Sequence, residues 1–115
     1  MKYEIWHNPR CRKSREGLAY LESKGAELQV RHYLEQVPTE EELQDVLKRM
    51  GLGPRDIIRK QEAVYKELNL KDPGLSDPQL VKAMVENPKL IERPIVIAGD
   101  KAALGRPAEN LDQLF

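Results

Sequence analysis

The residue of this sequence best suited to covalent chemistry is its single cysteine, Cys11. A cysteine attacks as the thiolate, and with an ordinary pKa near 8.5 only about 3% of it is ionised at pH 7. Lowering that pKa by ~2 units takes about 2.7 kcal/mol of preferential thiolate stabilisation, which cations and the amides of a helix N-terminus can supply. Five cationic or potentially cationic side chains lie within four residues: His7, Arg10, Arg12, Lys13 and Arg15. This surrounding favours a nucleophile over a small buried apolar residue.

The single cysteine also restricts the redox chemistry that the chain can support. It excludes an intramolecular disulfide, a cysteine-rich zinc site and a disulfide-stapled secreted scaffold. The two histidines, His7 and His32, lie far apart in sequence, so together with one cysteine they do not predict a metal site. Any redox cycle at Cys11 must therefore take its second sulfur from another molecule.

Two polar residues near the cysteine are candidates for assisting it. His7 precedes Cys11 by four residues, and the roles of general base, thiolate stabiliser and ordinary loop residue all remain open for it. Ser14 completes a cysteine-x-x-serine pattern, and its hydroxyl has the chemistry to donate to the thiolate or to a bound oxyanion. Serine is also ordinary in a first helical turn, so the pattern alone is weak. His32 is interpreted as a strand residue with no matching partner.

Three arginines distant in sequence from the cysteine share a position at the edge of an apolar element. Arg59 follows two isoleucines, Arg93 precedes a proline and an apolar strand, and Arg106 lies between a glycine and a proline. In isolation each is interpreted as a solvated surface arginine, because arginine is mostly exposed in proteins. Local context alone therefore assigns them no function.

The hydrophobic pattern predicts an alternation of strands and helices. Strand, helix and strand follow one another through short links, which predicts a parallel βαβ unit with Cys11 at or just before the first turn of its helix. Two capping boxes, Thr39 with Glu42 and Ser76 with Gln79, mark the starts of two further helices. The predicted strands are 3–6, 28–34, 95–98 and 102–104, and the predicted helices are 15–24, 39–51, 54–58, 62–68, 76–87 and 107–115.

Length and composition predict a single domain, residues 1–115, with a helical insertion at about residues 36–75. Hydrophobic residues make up 40% and aromatic residues only 5%, so the core should be mainly aliphatic. Basic and acidic residues number 19 each, which argues against a nucleic-acid binder driven by bulk charge. The N-terminus has no apolar stretch resembling a signal peptide, and no run approaches membrane-spanning length. We expect a cytoplasmic monomer with neither nucleic acid nor membrane as a partner.

Three segments together resemble the glutaredoxin-coupled arsenate reductases. Residues 7–15 have the spacing His, three residues, Cys, three residues, Arg. Residues 90–97, Leu-Ile-Glu-Arg-Pro-Ile-Val-Ile, resemble the family's segment before its third strand, and residues 105–107, Gly-Arg-Pro, resemble its C-terminal arginine motif. The resemblance covers essentially the whole chain in order. It implies an α/β, thioredoxin-like fold with a four-stranded mixed sheet flanked by helices and a helical insertion after the second strand.

The resemblance also implies roles for individual residues. Cys11 matches the family's nucleophile, and His7 matches the residue that helps to hold it as a thiolate. Pro94 matches the proline that thioredoxin-like folds hold in cis beside the cysteine. Guanidinium groups suit a multiply charged tetrahedral oxyanion, because they bind its oxygens in bidentate fashion. The residues that the resemblance implies for substrate binding are Arg59, Arg93, Arg106, Ser14 and Arg15. The first three match an arginine trio that also helps to stabilise the thiolate.

The implied activity is arsenate reduction without a bound cofactor or metal. The Cys11 thiolate would attack arsenic(V), glutathione would act as the reducing co-substrate, and glutaredoxin would resolve the mixed species with release of arsenite. The single cysteine agrees with this route and disagrees with reductases that use an internal cysteine cascade. Arg12 and Lys13 stand where well-studied members carry small residues, and we expect arsenate or a related oxyanion as the substrate.

Two other functions remain compatible with the sequence. The first is an Spx-like transcriptional regulator, which shares the fold and binds RNA polymerase. Its usual redox switch is a Cys-x-x-Cys pair, whereas position 14 of this chain is serine. The second is a general glutathione-dependent thiol oxidoreductase that acts on mixed disulfides.

Overall fold

The computed structural model describes residues 2–115, which form two compact units. Residues 2–36 and Arg93–Phe115 make up the first unit, and Val37–Glu92 make up the second. The second unit begins close to the predicted insertion of residues 36–75 and extends beyond it. The interpretation of the whole chain as one domain with that insertion stays a prediction.

The first unit is built on a four-stranded mixed sheet in the order β2-β1-β3-β4. Its strands are β1 (Lys2–Trp6), β2 (Glu27–Arg31), β3 (Ile95–Ala98) and β4 (Lys101–Leu104). Strand β1 pairs in parallel with β2 and antiparallel with β3, and β3 pairs antiparallel with β4. The two central strands carry the most apolar sequence, which suits strands with a neighbour on both sides. This topology confirms the predicted βαβ unit, and β3 and β4 form a hairpin.

Two helices of the first unit cover part of this sheet. They are α1 (Arg12–Ser23) and a C-terminal 3₁₀ helix (Ala108–Leu114), and apolar side chains of both share one core cluster with β1 and β3. The hydroxyl of Tyr20 donates a hydrogen bond to Asp112, which ties the two helices together. Each fully buried aliphatic side chain in this core contributes roughly 1.5–3 kcal/mol. Its fully buried members are Ile5, Leu21, Val96 and Leu111.

Two elements differ from the predicted ranges by three residues at one end. Helix α1 begins at Arg12 rather than at residue 15, and Cys11 is its N-cap residue, which confirms that Cys11 lies just before the first turn. The prediction that the second strand runs to residue 34 was wrong, because β2 ends at Arg31. The physical reason lies in the partner strand: β1 ends at Trp6, and the final backbone bond from it runs from His7 to the carbonyl of Arg31. After Arg31, β1 offers no further residue with which β2 could pair.

The second unit is helical. It contains α2 (Glu40–Met50), α3 (Ala63–Glu67) and α4 (Asp77–Glu86), with 3₁₀ turns at Pro54–Asp56 and Pro88–Leu90. Both predicted capping boxes are present, at Thr39 before α2 and at Ser76 before α4. Helices α2 and α4 bury the predicted apolar stripes, and an isolated antiparallel bridge joins Ile58 to Ile91.

The α/β class and the thioredoxin-like fold are confirmed. Mixed strand order with a parallel βαβ start and an antiparallel β-hairpin end is the arrangement that the resemblance implied. Among residues 2–115, every helix is too short or too polar to span a lipid bilayer.

Helix α1 offers a direct test of how closely it packs on the sheet. Gly17 lies in the middle of the helix, and a Cβ atom placed there would stand 2.6 Å from Cγ of Pro94. A Gly-to-Ala change in a helix normally stabilises by about 1 kcal/mol. Here we expect Gly17→Ala to lower the free energy of unfolding by about 1–3 kcal/mol, because the proline ring has to shift. Urea unfolding measures the change.

The matched control is Ala19→Gly at an exposed position of the same helix, which should also destabilise, by about 1 kcal/mol of helix propensity. Gly17→Ala and Ala19→Gly would then both lower the free energy of unfolding, although one adds a methyl group and the other removes one. Stabilisation by Gly17→Ala would contradict the close approach of α1 to Pro94.

Candidate active site

Cys11 lies between the first strand, β1, and the first helix, α1. The loop after β1 is closed by a backbone hydrogen bond of 3.0 Å from the Cys11 amide to the carbonyl of Asn8. The carbonyl of Cys11 then accepts from the amide of Arg15 at 3.0 Å, which starts α1. As the N-cap residue, Cys11 faces the unpaired amides of the first helical turn. Its side chain is partly exposed, so an external reactant has access to the sulfur.

The pKa of the Cys11 thiol lies below its ordinary value. Partial burial is the largest single influence and acts in the opposite direction, since it raises the pKa by penalising the charged form. A hydrogen bond from the Arg93 side chain, the backbone amides of Ser14 and Lys13, and the positive charge of Arg93 together outweigh it. The site therefore favours the thiolate through one guanidinium and the first turn of α1.

Arg93, which contacts this sulfur, is itself contacted by Arg106. Nη1 of Arg106 donates to the backbone carbonyl of Arg93 at 3.3 Å, and the amide of Gly105 donates to the carbonyl of Pro94 at 2.8 Å. The peptide bonds before Pro94 and Pro107 are both cis. The cis state at Pro94 is the one that the resemblance implied. Residues far apart in sequence are thus gathered in the first unit around Cys11.

Two glycines make room for the proline next to Arg93. A Cβ atom on Gly17 would lie 2.6 Å from Cγ of Pro94, and one on Gly105 would lie 2.9 Å from the same atom. Both distances are shorter than carbon atoms tolerate without a shift, so the ring of Pro94 depends on glycine at both positions. Sequence reasoning did not assign Gly17 to the site. The signal was its place inside a helix, where glycine costs stability unless close packing requires it.

His7, Asn8 and Ser14 form a buried polar network behind the cysteine. The Ser14 hydroxyl accepts from the Asn8 amide at 3.0 Å and lies 2.7 Å from Nδ1 of His7. Burial lowers the pKa of His7 first, and the charges of His32 and Arg15 lower it further. His7 is therefore neutral at pH 7, and its connection to the thiolate runs through Ser14, whose backbone amide donates to the sulfur.

Two sequence-based expectations about this network need correction. His32 was interpreted as having no matching partner, but its ring centroid lies 6.0 Å from that of His7. The cationic neighbours of Cys11 were expected to supply the stabilising charge, but Arg12 and Lys13 pair with Glu16 at 3.2 and 3.5 Å on the exposed face of α1. The charge comes instead from Arg93, which no local pattern connects to the cysteine.

The remaining predicted site residues have other contacts. Nη1 of Arg15 donates to the carbonyl of Pro9 at 2.9 Å, in an exposed position. Arg59 belongs to the second unit, where its guanidinium meets the carboxylates of Glu62 and Glu92. Substrate binding by Arg15 and Arg59 stays a prediction. Within residues 2–115, the His, Cys, Asp and Glu side chains do not gather into a group of three or more that would hold a metal ion.

The fold and the site together define a class of protein. A thioredoxin-like sheet, a partly exposed cysteine at the N-cap of its first helix and a thiol pKa lowered by arginine and amide groups are the features of a thiol nucleophile. The model of the ArsC family matches residues 6–114, so the chain belongs to that family.

Known relatives agree with this assignment along the full length. An uncharacterized protein of Escherichia coli, YfgD, is 50% identical over 109 residues, covering 94% of this chain and 92% of the relative. An arsenate reductase of Haemophilus influenzae is 46% identical over 116 residues, and the alignment covers 100% of this chain and 100% of the relative. The solved structure of an arsenate reductase from Vibrio cholerae is 49% identical, with a TM-score of 0.96 over 100% of this chain and 98% of that one.

Replacement of Arg93 tests the origin of the lowered thiol pKa. In Arg93→Gln we expect the pKa of Cys11 to rise, because the hydrogen bond and the charge that oppose burial are both lost. Alkylation of Cys11 falls as the pH drops through the thiol pKa, so the rate curve of the variant should move to higher pH. The rate at pH 7 should fall severalfold.

The control for this titration is Arg12→Gln, which removes one exposed positive charge already paired with Glu16. We expect its alkylation curve to overlay that of the wild type. Equal displacement of both curves would mean that general charge, rather than the Arg93 contact, sets the pKa.

The buried histidine gives a second test, in the stability of the fold. Because the folded state lowers the pKa of His7 below 6.5, the unfolded chain binds a proton there that the folded chain resists. Its contribution is complete above pH 6.5 and declines below it by up to ~1.4 kcal/mol per pH unit. His7→Asn should flatten the acid side of a stability-against-pH profile from urea unfolding. An unchanged slope would show that His7 titrates alike in both states.

Proposed function

We propose that this protein reduces arsenate through nucleophilic attack by Cys11. The observation that carries the proposal is the Cys11 thiol itself, partly exposed and held toward its thiolate form by Arg93 and the first turn of α1. Relatives 44% and 46% identical over nearly their whole length carry the name arsenate reductase. The glutathione and glutaredoxin dependence, the cytoplasmic location and the monomeric state belong to the same proposal.

The charges around the sulfur suit an anionic substrate. Arsenate carries multiple negative charges at neutral pH, and an anionic nucleophile repels it unless cations lie between or beside them. Arg93 and Arg106 are joined by a hydrogen bond and provide guanidinium groups for its oxygens, while α1 provides backbone donors. One set of positive groups thus activates the thiolate and attracts the substrate. Arg15 and Arg59, together with Ser14 through its backbone amide, complete the proposed binding set.

In the first step the Cys11 thiolate attacks arsenic, a sulfur–arsenic bond forms and one oxygen leaves as water after protonation. Arsenic remains in the +5 state in this adduct, so no electrons have yet been transferred. Glutathione then attacks, and glutaredoxin resolves the mixed species with release of arsenite. Overall, arsenic gains two electrons and two thiol sulfurs become one disulfide. Because the chain has a single cysteine, the second sulfur has to come from outside.

His7 acts in this scheme as a positioning residue. Its neutral ring fixes the Ser14 hydroxyl at 2.7 Å, and this contact holds the turn whose amide donates to the sulfur. The Ser14 hydroxyl is therefore engaged behind the cysteine, whereas its backbone amide faces the thiolate. A protonated imidazole as a direct charge partner for the thiolate is disfavoured, because burial opposes protonation of His7.

The Spx-like alternative is not favoured by the comparisons. The family match and the full-length relatives point to arsenate reductases, and Cys11 has no second cysteine for an internal disulfide switch. Reduction of mixed disulfides by the same thiolate is an outcome that the assay below separates from arsenate reduction.

Steady-state reduction of arsenate, coupled to glutathione and glutaredoxin, tests the proposal. Cys11→Ser should abolish turnover, because a hydroxyl is not ionised at neutral pH. Arg93→Gln should lower kcat/KM by about 10²-fold, in the range found when one stabilising donor is removed from a site of developing charge. Arg12→Gln serves as the matched control and should remain within a few-fold of the wild type.

The same proteins are assayed for removal of glutathione from a model mixed disulfide. The proposal expects kcat/KM for arsenate to exceed the value for that disulfide. Turnover of arsenate by Cys11→Ser, or a wild type that reduces only the mixed disulfide, would overturn it.

A further inference from the structure

The second unit holds Arg59 between two carboxylates. Nη1 of Arg59 donates to Oε1 of Glu92 at 2.6 Å, and Nε lies 3.4 Å from Oε2 of Glu62. All three side chains are largely withdrawn from solvent, with 18% of Arg59, 22% of Glu92 and 27% of Glu62 exposed. Partial burial strengthens such a charge-assisted contact relative to a fully exposed pair.

The backbone on both sides of this cluster is fixed by hydrogen bonds. The amide of Arg59 donates to the carbonyl of Leu90 at 2.8 Å, and the amide of Glu92 donates to the carbonyl of Ile57 at 2.9 Å. The bridge between Ile58 and Ile91 lies between these two bonds. Arg59 and Glu92 therefore face each other because their strand-like segments are paired, and a change of side-chain partner does not require the backbone to move.

Two carboxylates contact the guanidinium of Arg59, so an approaching anion meets an arginine whose charge is already paired. We propose that Glu92 is a specificity-determining residue, whose carboxylate competes with an incoming oxyanion for Arg59 and repels that anion according to its charge. The inference rests on the proposed function, in which Arg59 is one of the residues that bind the substrate.

The hydrogen bonds of Arg59 leave room for an oxyanion to take the place of Glu92. A guanidinium has five N–H donors, and the carboxylates engage only Nε and one hydrogen of Nη1. No other hydrogen bond from this side chain occurs within residues 2–115. Arg59 therefore keeps donors on Nη1 and Nη2 for a tetrahedral oxyanion, and such an anion can bind before the carboxylate of Glu92 withdraws.

The charge of Glu92 weakens the binding of highly charged anions most. The cost of displacing its carboxylate is the same for every anion and therefore cancels from a ratio of affinities. What remains is repulsion between the carboxylate and the anion, which is about twice as large for a dianion as for a monoanion. Glu92 thus lowers the affinity of Arg59 for doubly charged oxyanions more than for singly charged ones.

Calorimetric titration of the full chain in a Cys11→Ser background tests this directly, because no covalent adduct forms. The probes are sulfate, a tetrahedral dianion at all pH values near neutral, and nitrate, a monoanion. Glu92→Gln keeps the hydrogen-bonding shape and removes the charge, so sulfate should bind about tenfold more tightly. The ratio of sulfate to nitrate affinity should rise at the same time, because loss of the carboxylate charge relieves about twice as much repulsion for the dianion.

Glu67→Gln is the matched control, since Glu67 is an exposed carboxylate of the same unit with no contact to Arg59 and its change alters net charge equally. Its sulfate affinity should stay within about twofold of the parent. In Arg59→Gln, sulfate should bind more weakly, and added Glu92→Gln should restore much less than tenfold.

Unchanged sulfate affinity in Glu92→Gln would overturn the inference, and so would an equal gain in Glu67→Gln. A lower melting temperature with unchanged affinity would assign Glu92 a purely structural role and would also overturn it. These results are separate from a failure of the proposed function, which is judged by arsenate turnover in the chain that retains Cys11.

Discussion

The reactivity of Cys11 depends on one contact, the hydrogen bond between the Arg93 guanidinium and its sulfur. Burial of the thiol works against ionisation, and the amides of one short helical turn supply only part of the compensation. The guanidinium supplies both a donor and a charge. The chain places it there by packing the ring of Pro94 against Gly17 and Gly105, so the position of the arginine is set by the backbone rather than by a flexible side chain alone.

The same contact explains the arrangement of the polar residues behind the cysteine. His7 is kept neutral by its surroundings, and it bonds to Ser14, whose amide faces the sulfur. The positive charge at the sulfur therefore comes from Arg93, whose backbone carbonyl accepts a hydrogen bond from Arg106. The cations next to Cys11 in the sequence are directed outward, into pairs with Glu16.

Much of the fold follows from local sequence signals. The capping boxes at Thr39 and Ser76 and the apolar run of β3 all predicted their elements correctly. The chemistry of Cys11 was also predictable, because the residues around it are unusually rich in cations and have the spacing His, three residues, Cys, three residues, Arg. Its partner Arg93 was implied by the family resemblance but not by any local pattern, since the pairing of residues 11 and 93 is a product of strand order. For the same reason the contact of Arg59 with its two carboxylates could not be predicted. Glu92 reaches Arg59 through the pairing of residues 57–59 with 90–92.

Arsenic X-ray absorption spectroscopy of the protein with arsenate, before any glutathione is added, examines the central claim most directly. The account predicts arsenic in the +5 state with one sulfur among its ligands, and loss of that sulfur in Cys11→Ser. Arsenic bound to oxygen alone in the wild type would contradict a nucleophilic role for Cys11.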